Sequence, residues 1–312
     1  MNGRLEPADK ALLTVTDRGF QVGDGVFETI RVVEGRVLEL PLHSSRLQAS
    51  AAALEIPLPA DLEQHLEQAI EDTCRANALC GSGTQVAVRV TVSRGSVDGR
   101  ALIPPQNVRP NLVLQAWRVE PPPVELLQRG LHLVISAVRR DPLSPLAAVK
   151  TTSRAEFVYA QLQARDLGAD DALFLTTEGQ LAEATSASIF LIEASTLATP
   201  SLDCGILAST TRKWVLSVGG PRLGLVVREG HLTRDKLFAA DEAFLASSVA
   251  GILPVTRVDG RPIGAGRPGA WTLRLRTLRE EAASGTSPTF RPDGAEYAIN
   301  HEEVSPSEPQ CP

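Results

Sequence analysis

Residues 144–157 read SPLAAVKTTSRAEF. The 312-residue chain holds only four lysines, Lys10, Lys150, Lys213 and Lys236, because its basic residues are nearly all arginine. Three of them stand among polar or charged neighbours. Lys150 instead follows the apolar run Leu146–Val149 and precedes a polar TTSR. A lysine flanked in this way is desolvated, which lowers its pKa and frees the amine as a nucleophile. A Schiff base to a carbonyl cofactor is the usual employment of such an amine. The same residue also fits a strand end whose amine reaches out to water, so its surroundings decide.

Upstream, the pattern alternates between strands and helices. GDGVFETIRVVEGRVLEL reads as a hairpin turning at Glu34-Gly35. LPLHSSRLQASAAALEI and DLEQHLEQAIEDTCRANA carry helical spacing, the second with Leu62, Leu66 and Ile70 on one side. TQVAVRVTVSRG places valines 86, 88, 90 and 92 on one face of a strand, and NVRPNLVLQAWRV is a further strand. EPPPVE, residues 120–125, suits neither a helix interior nor a central strand. It is read as a linker between a first domain, 1–119, and a second, 126–283.

The second domain restarts with the strand LHLVISAVRR, followed by the Lys150 segment and a helix, RAEFVYAQLQARDLG, ending at Gly168. DALFLTTEGQLAEATSASIFLIE reads as two strands around Glu178-Gly179. STTRKWVLSVGG is a short helix, LGLVVREGHL carries a strand, and DEAFLASSVAGILPVTRVDGRPIG carries two more. Residues 284–312, rich in Pro, Ser and Glu and without period, are expected to be disordered.

The bulk numbers exclude several classes. A net charge of -6 argues against a general nucleic-acid or membrane surface. An apolar fraction of 43% supports a real core, yet no apolar run is long enough to span a bilayer. The N-terminus lacks the apolar centre of a signal peptide. Cys74, Cys80, Cys204 and Cys311 form no zinc spacing, so reduced thiols and a cytoplasmic location are expected. A hydrolase or a non-catalytic binding module is the competing class, but no GxSxG elbow and no HExxH is present.

Four other places suit a carbonyl cofactor that carries a ring and a phosphate. Glu183, in GQLAEATSASIF, offers a carboxylate on a small-residue strand, and a fixed carboxylate keeps a pyridine nitrogen protonated; an exposed strand residue is the plain alternative. Ser209-Thr210-Thr211 opens a helix whose free N–H groups and hydroxyls suit a phosphate, or simply cap the helix. Ser248, after a strand, forms a second such turn. Arg46 adds a charge-assisted donor.

With these residues in this order, the sequence resembles the class IV aminotransferases, the pyridoxal-phosphate enzymes of fold type IV. That family includes branched-chain and D-amino-acid aminotransferases and aminodeoxychorismate lyase. The resemblance runs from about Asp17 to about Gly264, through DRGFQVGDGVFETIR, LHSSRLQAS, VTVSRG, VKTTSR, GADDALFLTTEGQLAEATSASIFLI, TPSLDCGILASTTRKWVL and ADEAFLASSVAGILPV. It implies an α+β or α/β chain, with a small N-terminal α/β sandwich domain and a larger C-terminal pseudo-barrel that binds the cofactor. Lys150 matches the lysine that holds pyridoxal 5'-phosphate as an internal aldimine, and Glu183 the glutamate facing the pyridine nitrogen. Arg46, Thr210, Thr211 and Ser248 match the phosphate contacts. Arg154 falls where several members carry a tyrosine bonded to the ring hydroxyl, and an arginine there resembles the lyase branch and some transaminases. Ser188 stands where an asparagine is usual.

The activity implied is transamination between an amino acid and a 2-oxo acid. The alternative is the lyase that releases pyruvate and p-aminobenzoate from 4-amino-4-deoxychorismate. A homodimer is implied as well. By resemblance the strand face of Phe27, Thr29 and Arg31 lines the substrate pocket, and Arg31 or Arg100 is expected to clamp a substrate carboxylate. The amino donor and its chirality stay open.

Overall fold

A computed structural model describes residues 1–99 and 102–285. Arg100 and all of the expected disordered tail except Ser284 and Gly285 lie outside the described residues. The first sheet consists of β1 (Gly25–Val33), β2 (Arg36–Val37), β3 (Gln85–Ser93) and β4 (Asn111–Arg118), antiparallel in the order β2-β1-β3-β4. The β1–β2 turn is at Glu34-Gly35, both at positive φ (50° and 80°), the backbone that matches the twist of a two-residue hairpin.

Helix α1 (Arg18–Val22) leads into β1. Helices α2 (Leu40–Ala53) and α3 (Leu62–Ala76) cover one face of the sheet. Leu62, Leu66 and Ile70 of α3 and Leu47 of α2 bury against Val26 and Ile30 of β1 and the valines of β3. Each such side chain contributes about 1.5–3 kcal/mol of burial. The alternation that sends the valines inward sends Phe27, Thr29, Arg31, Arg89 and Thr91 to the opposite face, where the second domain lies.

Pro121–Pro123 carry the chain across. The helix α4 (Val124–Arg129) begins inside the segment read as linker, with Pro123 as its N-cap. Proline suits that place because a helix start needs no N–H there. Then follow β5 (Leu131–Arg140), α5 (Ala155–Asp166), β6 (Asp171–Thr176), β7 (Leu181–Ala184), β8 (Ser188–Glu193) and β9 (Thr196–Pro200). Helix α6 (Thr210–Trp214) runs without a break through a wide π turn, Val215–Gly219, into α7 (Gly220–Arg222). The remainder is β10 (Val226–Gly230), α8 (Arg234–Ala239), β11 (Glu242–Ser247), β12 (Gly251–Val258), β13 (Arg261–Pro262) and α9 (Ala270–Ser284).

The strand order is β10-β9-β8-β11-β12-β5-β6-β7, and β7 pairs back onto β8. The sheet therefore closes on itself through the pair Glu183–Ser188, giving a mixed barrel beside the small sandwich. This closure corrects the two-strand expectation for 171–193, which holds three strands. The hairpin at Gly179 is present, but a second turn at Thr185–Ala187 bends the chain to shut the barrel. Thr185 holds that bend by donating its hydroxyl to Asp171 Oδ1 at 2.6 Å.

Helix α9 is the element that the sequence pattern conceals. Its buried stripe is Thr272, Leu275, Arg279 and Ala283, two of them polar, so apolar periodicity is weak. It ties the domains together. Glu280 receives Arg31 at 2.5 and 3.1 Å, Arg279 reaches Glu39 at 2.6 Å, and Arg36 donates to the carbonyl of Ala283. Arg31 is 3% exposed and Glu280 33%. Glu280→Ala, which strands a buried guanidinium, is expected to cost about 2 kcal/mol after allowance for the exposed side of the pair, read as a lower midpoint in urea. Among the described residues no helix is long and apolar enough to cross a membrane.

Candidate active site

Lys150 sits in the segment between β5 and α5, which crosses to the first domain and pairs with the start of β1. Phe27 N–H donates to the Lys150 carbonyl (3.0 Å), Thr152 N–H to the Gly25 carbonyl (2.8 Å), and Val26 bridges Thr151. The approach is so close that a Cβ on Gly25 would meet Val92 O at 2.6 Å, and one on Gly23 would meet Ser153 Oγ at 2.3 Å. Glycine at both places in VGDGVF is therefore a packing requirement.

The Lys150 amine lies 4.7 Å from the centre of the Phe27 ring. Burial lowers its pKa to about 8, helped by the charges of Arg46 and Arg154 and opposed by Glu28 and Glu183. The desolvation has a different source from the one the sequence suggests. Leu146 and Ala148 of the preceding apolar run are exposed; it is the face of β1 that shelters the amine.

Glu183 is 8% exposed and sits on the strand that closes the barrel. Its Oε2 accepts from Leu207 N–H at 3.2 Å, and Arg140 lies 3.5 Å from Oε1. Burial pushes its pKa up, against the opposing pull of Arg140. Arg140 in turn is fixed by Glu156 at 2.5 Å and the Ala147 carbonyl at 2.8 Å. Arg154 donates to the Thr185 carbonyl at 2.5 Å and stacks 3.3 Å from the Phe157 ring centre. Burial lowers its pKa to about 10, so it stays a cation at neutral pH.

A second cluster gathers residues far apart in sequence. Arg46 donates to both oxygens of Glu28 at 2.7 Å and to the Ala208 carbonyl at 2.9 Å. Of its five N–H groups, one on Nη1 and one on Nη2 are left over by these three bonds. Thr210 Oγ lies 3.1 Å from Ser248 Oγ and 3.4 Å from His43 Nε2. Thr211 Oγ is buried without a hydrogen-bond partner. A buried orphan hydroxyl is costly, and this one stands in the first turn of α6, next in sequence to Thr210 and three residues past Ala208, whose carbonyl receives Arg46. That is a donor set for a phosphate.

Phe27 and Thr29 lie on the face toward Lys150, as the alternation implies. Arg31 shares that face but is committed to Glu280 and to Gln85 (2.7 Å), so it is not free to clamp a substrate; Arg100 lies outside the described residues. The residue the sequence reading missed is Arg89, directly across from Thr29. Its guanidinium is 3.8 Å from the Phe27 ring centre, half-buried, and has no carboxylate partner among the described residues. Burial lowers its pKa. Its signal was a lone charge inside VAVRVTV. Glu28 and His43 were missed as well. An open cleft of about 590 Å³ beside α9, lined by Arg276 and Glu280, contains none of this chemistry.

The family model described as amino-transferase class IV matches residues 25–258. A protein of Methanocaldococcus jannaschii named as a branched-chain-amino-acid aminotransferase is 34% identical over 277 residues, 88% of this chain and 93% of its own. The D-alanine aminotransferase of Bacillus licheniformis is 29% identical, covering 92% and 98%. The aminodeoxychorismate lyase of Bacillus subtilis is 28% identical, covering 83% and 86%. Among solved structures, the branched-chain amino acid aminotransferase of Escherichia coli superposes with a TM-score of 0.83 at 27% identity, over 91% and 92% of the two chains. A mixed barrel closed at a buried glutamate, with a sheltered lysine and a hydroxyl-rich helix start, lies within the matched residues: the chain belongs to the class IV aminotransferase family. Members of that family depend on pyridoxal phosphate, and the orphan Thr211 hydroxyl, the buried Glu183 and the sheltered Lys150 amine fit that group.

Proposed function

We propose that this chain is a pyridoxal-phosphate-dependent transaminase that moves an amino group between an amino acid and a 2-oxo acid. The observation that carries the reading is the Lys150 amine, sheltered against Phe27 with its pKa lowered to about 8. When bound, the cofactor supplies an aldehyde that captures the substrate amine and a ring that accepts the electron pair left when the Cα–H bond breaks. Lys150 takes the proton from Cα and returns it, a role that needs its neutral form near neutral pH. Glu183 holds a proton at the ring nitrogen, fixed by Leu207 N–H and Arg140. Arg46, Thr210, Thr211 and Ser248 anchor the phosphate. Arg154, a cation beside Glu183, balances the charge of the ring hydroxyl.

Arg89 replaces Arg31 as the group that receives a substrate carboxylate, because it faces Phe27 without an acid of its own among the described residues; Arg100 stays a second candidate for that role. Arg89→Gln is expected to raise KM for a dicarboxylic 2-oxo acid at least about tenfold while kcat falls less; unchanged KM would remove Arg89 from the pocket. Separate half-reactions with D-alanine, D-glutamate, L-leucine and L-glutamate identify the donor class by conversion to the aminated cofactor. Arg154 and the lyase relative support one alternative, lysis of 4-amino-4-deoxychorismate. Silence with all four donors, with pyruvate released from that substrate, would replace the transaminase reading.

The site works as a homodimer in this proposal. Phe20 (74% exposed), Leu102 (83%) and Ile103 (84%) are apolar and open, and Arg18 holds the Leu102 carbonyl to α1 at 2.8 Å. Exposed apolar patches of this kind mark association surfaces. Sedimentation is expected to return twice the chain mass, and a monomer would contradict it.

A further inference from the structure

Three side chains that the mechanism above leaves unused meet where two parallel strands end. β9 and β10 pair with Pro200 opposite Gly230, and Ser201 N–H donates to the Gly230 carbonyl at 3.1 Å. The residues that follow each strand therefore leave the sheet side by side. After β9 the chain makes a single tight turn, Leu202–Cys204; after β10 comes His231. This juxtaposition gathers the Asp203 carboxylate, the Cys204 thiol and the His231 imidazole, with one ligand atom of each within 4.8 Å of the others. His231 Nε2 lies 3.0 Å from Asp203 Oδ2. Cys204 is buried beneath them, and its Sγ reaches Gln180 Oε1 at 3.9 Å.

Asp203 and His231 are both open to water, and an exposed pair of this kind contributes little by itself. Pairing also leaves the thiol at their base without a purpose. The three donors are sulfur, nitrogen and oxygen. Calcium and magnesium take oxygen ligands, whereas zinc takes all three kinds in a tetrahedral shell. Zinc bonds of about 2.0–2.3 Å put neighbouring ligand atoms roughly 3.3–3.6 Å apart. The observed separations bracket that range. Closing them needs shifts of about 1 Å, which side chains as exposed as Asp203 and His231 can make while Cys204 stays in place.

We propose that Asp203, Cys204 and His231 form a zinc site, with water from the open side completing the shell. When the ion enters, the Cys204 S–H bond breaks, its proton passes to solvent, and a sulfur–zinc bond forms with no change of oxidation state. The imidazole keeps its hydrogen on Nδ1 and offers Nε2 to the metal. Zinc with one thiolate, one carboxylate and a neutral imidazole is uncharged overall, which limits the cost of ionising a buried thiol. The ion pins the outer end of the segment that steadies Glu183. In that segment the Gly205 carbonyl accepts from Arg140 at 3.3 Å and Leu207 N–H reaches Glu183. The zinc site needs only residues 203, 204 and 231, so it stands or falls separately from the transaminase reading.

The test uses the full, untagged chain loaded with pyridoxal phosphate. Equilibrium dialysis against Zn²⁺, followed by metal analysis, is expected to return about one zinc per chain. Co²⁺, which takes the same ligands, should add a sulfur-to-cobalt charge-transfer band to the difference spectrum against the metal-free holoenzyme. Cys204→Ser is expected to abolish that band. His231→Ala and Asp203→Ala, at exposed positions, keep the test open if Cys204→Ser does not fold. Each should weaken zinc binding by about tenfold or more, since even the outer partners of metal ligands contribute roughly 10–100-fold. Backbone hydrogen exchange across residues 203–207 should slow on adding zinc to the wild type and not to His231→Ala. No zinc retained, a cobalt spectrum without the sulfur band, or undiminished binding in His231→Ala would overturn the site.

Discussion

Lys150→Ala is expected to lose turnover by about 10⁴-fold or more, because the proposed mechanism asks one side chain both to hold the cofactor aldehyde and to carry the Cα proton. The variant should still fold. The backbone bonds that fix the segment, Phe27 N–H to the Lys150 carbonyl and Thr152 N–H to the Gly25 carbonyl, do not depend on the amine, and removing a sheltered cation relieves a desolvation cost. The pH dependence has a defined sign. Burial, then Arg46, disfavour the protonated amine and bring its pKa to about 8. Neutral amine is the reactive form, so capture of pyridoxal phosphate by the cofactor-free chain should rise with pH and level off above about 8. Below that it should fall about tenfold per unit. A midpoint near the ordinary lysine value, about 10.4, would mean the amine is not sheltered in solution.

The second large effect is expected at Glu183. Glu183→Gln keeps the shape and can still accept from Leu207 N–H, 3.2 Å away, but supplies no charge to hold a proton at the ring nitrogen. Loss of that fixed charge should lower kcat by about 10²–10³-fold, with KM changing much less. The wild-type carboxyl sits between opposing forces. Burial pushes its pKa up and Arg140, 3.5 Å away, pulls it down. Arg140→Met should therefore reproduce part of the Glu183→Gln defect, and its pH–rate profile should lose activity at a higher pH than wild type as the carboxyl protonates. A Glu183→Gln enzyme with unchanged kcat would remove the carboxylate from the chemistry.

Much of the site was legible before any coordinates, and the gaps have physical causes. Lys150, Glu183 and the Thr210–Thr211 pair each carried a local signal: a lysine out of place, a carboxylate on a small-residue strand, hydroxyls at a helix start; Arg46 and Ser248 gained meaning only from their order along the chain, and the fold brings them to the Ala208 carbonyl and to Thr210. Arg89, Glu28 and His43 carried none that pointed beyond themselves. A charge on an alternating strand reads as the wet face, and only the packing of α2 and of the second domain shows that both faces of β1 are covered. Arg31 shows the converse. The face was assigned properly, but its partner Glu280 lies in α9, whose buried stripe of Thr272, Leu275, Arg279 and Ala283 hides the helix from apolar periodicity. The turn at Thr185–Ala187 was invisible for a similar reason: it exists because β7 must meet β8 to close the barrel, a long-range demand with no local mark.

The most direct measurement is borohydride reduction of the enzyme saturated with pyridoxal phosphate, followed by proteolysis and mass mapping of the pyridoxyl label. The label is expected on Lys150 alone, with loss of the visible absorbance in step with labelling. A label distributed over Lys10, Lys213 or Lys236, or none on Lys150, would contradict the account.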